Sequence, residues 1–185
     1  EIPKRDWSSD VCSSDLTTDG MYNYCPRDVL LVIDDMVIEC PMVYRSRQME
    51  AEAYWHIRDK AIKDGARWLA APRPRLLTLD NFVRDGQVVL SEREPMFDAA
   101  NILRHNDDIL YLVSNSGNRL GAEWLQNILG KKYRVHIIDN LYSYAHIDST
   151  ISVLRDGVVV LNGSRVNDVN CPSLFKGWQK IYVDD

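Results

Sequence analysis

Four residues of this chain have the types that proton transfer and cation binding need: Asp28, Asp98, His146 and Asp148. A neutral imidazole beside a carboxylate is a general acid/base pair, in which the acid fixes the ring and stabilises the imidazolium. Two further carboxylates can grip one planar cation, each accepting paired N–H bonds from a guanidinium. Taken singly, each residue also has a blander reading. Asp28 follows Pro26-Arg27 and suits a turn or cap. Asp98 precedes Ala99-Ala100 and suits a helix cap, and His146 in A-H-I-D-S-T stands alone. Asp148 alternates with His146 across Ile147, so in a strand the two would share a face.

The elements that must position these residues read as a repeat. An apolar strand (Val29 to Ile33), an Asp34-Asp35 turn and a short strand (Met36 to Ile38) lead into a predicted helix from about Ser46 to Asp64. Gly65 ends that helix, and a strand from Arg67 to Ala71 follows, closed by Pro72 and Pro74, which supply no ladder donor. The same ββαβ order recurs with strands Ile102 to His105 and Ile109 to Val113, a helix Arg119 to Leu129 stopped by Gly130, and a strand Tyr133 to Ile138. It recurs again with Ser149 to Leu154, an Asp156-Gly157 hairpin turn, Val158 to Leu161, a weaker helix near Ser173 to Lys176 stopped by Gly177, and Gln179 to Val183. The joints K-D-G-A-R-W-L, L-G-K-K-Y-R-V and F-K-G-W-Q-K-I each set a glycine between helix and strand. Units of this kind bury their faces on one another, which predicts a radial array over a plain alternating α/β sheet. Asp28, Asp98 and the His146–Asp148 pair all lie at or just before the first strand of their unit. In a closed array they converge on the axis, and a pocket of three carboxylates and an imidazole predicts a cationic ligand.

Composition narrows the classes. The 185 residues carry 22 Lys+Arg against 27 Asp+Glu, a net charge of −5, with 45% apolar and 26% charged residues. That balance fits one globular core and argues against a nucleic-acid partner, which needs clustered cations. No aliphatic run approaches the roughly 20 residues of a bilayer span, so no membrane partner is expected. Cys12, Cys25, Cys40 and Cys171 form no C-x-x-C pair, which favours free thiols in a reducing, cytoplasmic compartment and no metal site. S-N-S-G-N-R-L-G at Ser114 to Gly121 lacks the Lys-Ser/Thr of a P-loop and reads as the entrance to the second helix. Trp55, Trp68, Trp124 and Trp178 are predicted to pack in the core. D-W-S-S-D-V-C-S-S-D-L at Asp6 to Leu16 resembles a translated short-read sequencing adapter, so residues 1–16 are expected to be a non-native leader.

The strings P-R-D-V-L at Pro26 to Leu30, E-C-P-M-V-Y-R-S-R at Glu39 to Arg47, F-D-A-A-N at Phe97 to Asn101, R-V-H-I-I at Arg134 to Ile138 and H-I-D-S-T at His146 to Thr150 resemble glycine amidinotransferase. The resemblance runs from about Met21 to Asp185 and makes residues 17–185 a partial amidinotransferase domain. It implies the pentein fold, an α/β propeller of five ββαβ modules around a pseudo-fivefold axis, of which about three would be present. It also implies transfer of the amidino group of arginine, by way of a cysteine, to an amine such as glycine, with no cofactor; a homodimeric parent is compatible with it. In the family's scheme His146 exchanges protons with the departing and incoming amines and Asp98 orients it. Asp28 and Asp148 hold the guanidinium, and Arg165 binds a substrate carboxylate. Asn101 departs from the family's usual second acid, and Ala145 from the residue before the histidine, which leaves the acceptor open. The family's nucleophilic cysteine lies beyond Asp185, and Cys25, Cys40 and Cys171 do not match its motif, so the chain as written is expected to be inactive. A hydrolytic relative of the arginine deiminase kind and a non-catalytic guanidinium-binding remnant are the alternatives.

Overall fold

The computed structural model describes residues 25–75, 81–84, 87–141 and 146–183, with 81–84, 87 and 88 described by backbone alone. The expected leader at residues 1–16 lies outside the described residues. Three units share one plan, an antiparallel hairpin whose second strand pairs in parallel with a third. In the first, β1 (Leu30–Ile33) and β2 (Met36–Glu39) form the hairpin, α2 (Trp55–Lys63) crosses over and β3 (Arg67–Ala70) lies beside β2. After a two-stranded hairpin of β4 (Asn81–Arg84) and β5 (Gln87–Leu90), the second unit comprises β6 (Ile102–His105), β7 (Asp108–Leu112), α3 (Arg119–Leu129) and β8 (Arg134–Ile138). The third comprises β9 (Ile151–Arg155), β10 (Val158–Asn162) and β11 (Gln179–Val183).

The repeat extends to single hydrogen bonds. The amide entering the third strand donates to the hairpin turn in every unit: Arg67 N to Asp35 O (2.8 Å), Arg134 N to Asp107 O (2.9 Å) and Gln179 N to Gly157 O (2.8 Å). The glycines before those strands, Gly65, Gly130 and Gly177, all take positive φ, a conformation in which a Cβ is strained. Along β7 successive side chains point to opposite faces, and both faces are buried. Ile109 and Tyr111 enter a core shared with Val29, Ile38, Phe97 and Leu125. Leu110 and Leu112 enter a second core with Ile147, Val159, Leu161 and Phe175. β7 is therefore the wall between the first and third units. At the rim, Asp34 in the first hairpin turn accepts from Arg104 Nη2 and Lys132 Nζ, both at 2.6 Å, and from the Tyr133 hydroxyl. Those three donors, Lys132 first, hold its carboxyl well below the usual carboxylate range, and they tie the first unit to the second.

Several expectations need correction. The helix predicted over Ser46 to Asp64 is α-helical only from Trp55; two 3-10 turns, Arg45–Arg47 and Glu50–Tyr54, precede it. There Glu50, Ala51, Ala53 and Tyr54 are buried and Arg47 bonds back to Glu50, so local pairing overrides the helical period. The weak helix of the third unit is a single 3-10 turn, Ser173–Phe175, wedged by the buried Phe175. Trp55 is 53% exposed, not core, because α2 buries none of its residues. Asp148 and His146 share no strand face, since Ile147–Ser149 is a 3-10 turn and β9 starts at Ile151.

Candidate functional site

A short helical turn precedes the first strand of each unit: α1 (Pro26–Val29), Ala99–Asn101 and Ile147–Ser149. The middle turn packs against both of the others, and each is closed by a backbone bond, Asp28 N to Cys25 O, Asn101 N to Asp98 O and Thr150 N to Ile147 O. Small residues, Ala99 and Ala100, are fully buried there and let the backbones approach. Asp28 lies within the first turn, while Asp98 and His146 are the N-cap residues of the other two.

The structure brings three of the predicted residues together. His146 Nε2 lies 3.3 Å from Asp98 Oδ2, and His146 Nδ1 lies 3.9 Å from Asp28 Oδ1. Asp98 is 1% exposed, and its Oδ1 is buried without a hydrogen-bond partner among the described residues. Burial pushes the Asp98 carboxyl up, against the pull of His146 and Arg47. The bond to Asp98 outweighs burial at His146 and raises the imidazole above its ordinary value, with Asp28 adding to the effect. Asp148 is exposed on the turn beside His146 and contributes to that field from a distance. Arg165 reaches the same turn by another side: Nη1 donates to Ser149 O (3.3 Å), Ser149 Oγ (3.2 Å) and Thr150 Oγ1 (3.3 Å).

Three participants were not singled out by residue type and spacing. Arg47 Nη1 donates to Asp28 Oδ2 at 3.0 Å, and its Nε and Nη2 bond the Glu50 carboxylate at 2.9 Å each. This part-buried pairing neutralises some of the site's negative charge and fixes Asp28 from behind. The R-S-R of the E-C-P-M-V-Y-R-S-R string was the signal that could have found it. Asn101, buried, accepts the His146 backbone N–H at 2.9 Å.

Two of the described thiols are shifted away from the reactive thiolate form. Burial, then the Asp98 charge, raises the Cys40 thiol well above its ordinary value, and burial also raises Cys171. Cys25 is half-buried at the start of α1. Among the described residues no group of His, Cys, Asp and Glu is arranged to hold a metal ion, and no helix is long and apolar enough to cross a membrane. The arrangement suits a planar cation that donates N–H bonds to Asp28, with an imidazole alongside, backed by the buried Asp98, that can take and return a proton.

No protein-family model matches the chain. Individual proteins do. Inosamine-phosphate amidinotransferase 1 of Streptomyces glaucescens is 49% identical over 180 residues, covering 96% of this chain and 51% of that protein. The mitochondrial glycine amidinotransferase of Gallus gallus is 36% identical over 194 residues, covering 96% of this chain and 46% of that one. The solved structure of inosamine-phosphate amidinotransferase from Streptomyces griseus superposes with a TM-score of 0.84 at 47% identity, over 96% of this chain and 51% of that chain. The fold is thus of the pentein type, and the chain spans about half the length of the relatives it matches.

Proposed function

We propose, on the premise that the chain belongs to the amidinotransferase family, that it supplies the acid and imidazole side of a site where the amidino group of arginine passes to an amine. The observation that carries this reading is the meeting of Asp28, Asp98 and His146 from three separate units. Asp28 and Asp148 hold the guanidinium, and Arg165, already at the rim of the same turn, binds a substrate carboxylate. A cysteine thiolate adds to the guanidinium carbon, and the C–N bond to ornithine breaks as His146 delivers a proton to the leaving amine. The incoming amine then attacks the amidino carbon, gives its proton to His146 and expels the thiolate. Asp98 keeps the ring oriented through both halves and stabilises its charged form. Cys25, Cys40 and Cys171 are not assigned the nucleophile's role, and the 185-residue chain by itself is expected to form no ornithine.

Degree of kinship supports one acceptor over another. Identity of 49% to an inosamine-phosphate enzyme against 36% to a glycine enzyme favours an inosamine phosphate over the glycine that the motif strings suggested. The test is to give the full-length protein arginine labelled at the guanidino carbon, with an inosamine phosphate or glycine as acceptor. Label should appear in the amine product in one-to-one ratio with ornithine, faster with the inosamine phosphate. Label appearing in citrulline or urea would show that water, not an amine, is the acceptor.

A further inference from the structure

We propose that Asn101 is the positioning residue for His146, holding its main chain so that the imidazole lies against Asp98. This rests on the role given to His146 above. His146 has φ 68° and ψ 117°, a backbone conformation that a residue with a side chain adopts only when its surroundings impose it. Its own turn holds the carbonyl end, Ser149 Oγ donating to His146 O at 2.9 Å, while the N-cap side chain makes no capping bond. The amide end is held from outside the turn by Asn101 Oδ1, which accepts the His146 N–H at 2.9 Å from the second unit's inner turn.

The amide of Asn101 is itself fixed at both ends. Nδ2 donates to Ser116 Oγ at 2.8 Å, and Oδ1 also accepts from Ser114 Oγ at 3.3 Å. Since a main-chain N–H can only donate, the oxygen must face His146, which settles the orientation of the amide. The loop that carries these serines is shaped around it: a Cβ on Gly117 would come within 2.9 Å of Asn101 Nδ2, closer than such contacts allow. Asn101 is fully buried, so it acts through His146 and not on substrate. Three carboxylates face or lie near the ring, Asp98 at 3.3 Å, Asp28 at 3.9 Å and Asp148 on its own turn. A ring freed from its backbone setting would lose mainly the first, which depends on direction.

The experiment follows the His146 ring by NMR in the 185-residue chain, its signal identified by its loss in His146→Gln. In the wild-type sequence Asp98→Asn should lower the titration midpoint of His146. In an Asn101→Ala background that dependence on Asp98 should fall by at least half, whereas Asn101→Asp, which keeps an oxygen for the His146 N–H, should preserve it. Full dependence on Asp98 in Asn101→Ala, or equal loss in both Asn101 variants, would overturn the proposal. If Asn101→Ala does not fold, Ser116→Ala, which releases Asn101 Nδ2, should weaken the dependence in the same direction, and no change there would also overturn it. The readout needs no turnover. Failed coupling with normal amidino transfer would therefore count against Asn101 alone, and absent transfer with intact coupling against the proposed function alone.

Discussion

Gly121, at the third position of α3, sits where no side chain fits. A Cβ there would lie 2.6 Å from Tyr111 Oη, 2.9 Å from the Met96 carbonyl oxygen and 2.9 Å from Phe97 Cδ1. None of the three can retreat easily. Tyr111 and Phe97 are fully buried and meet edge to face, and Tyr111 Oη is held by Asn118 O at 2.8 Å and Met96 O at 3.3 Å. Gly121→Ala gains about 1 kcal/mol of helix propensity. Against this stand overpacking of about 1–3 kcal/mol and a displaced buried hydroxyl at about 1–3 kcal/mol. The net expectation is a loss on the order of 3 kcal/mol, read in urea as a lower midpoint at an unchanged slope. Tyr111→Phe removes the nearest clashing atom, so in that background Gly121→Ala should cost measurably less. A neutral or stabilising Gly121→Ala, or a cost that ignores the state of Tyr111, would refute the reasoning.

Two further outcomes follow. The folded His146 is raised above its ordinary 6.5, so its stabilisation is fully present below about pH 6.5 and is lost as pH rises through the raised folded value; unfolding free energies at pH 6 and pH 8.5 should show this, and Asp98→Asn should flatten the difference. Asn118 accepts the amides of Met96 (3.0 Å) and Gly121 (2.9 Å) and donates to Ser91 O (2.7 Å) and Glu94 O (2.8 Å), so Asn118→Ala should lose on the order of 3 kcal/mol in denaturant unfolding, while Asn118→Asp, which keeps the cap, should lose less.

What could be read from the sequence was whatever had a period or a stop signal. β6, α3 and β11 fall at the expected residues because an alternating or helical apolar pattern ends there at a turn or a glycine. The inner turns are too short to show any period, and this is why His146 and Asp148 were expected on a strand face and lie instead on a 3-10 turn. The β4–β5 hairpin did carry a signal, Asp85-Gly86 between apolar runs. At the site, the convergence of Asp28, Asp98 and His146 followed from the repeat. Arg47 and Asn101 could not be found in that way, since each acts through a partner brought near by tertiary packing: Asp28 for Arg47, the His146 amide for Asn101.

The inner turns also have a mechanical meaning. When neighbouring units rock against each other, displacement grows with distance from the place where they meet. Residues at the hub have the shortest lever arm, and the outer helices have longer ones. Asp28, Asp98 and His146 each belong to a different unit, yet they lie where the units meet, where such rocking would change their spacing least. The acid and base can thus stay in register while the periphery moves, and alignment at the hub does not depend on a stiff frame.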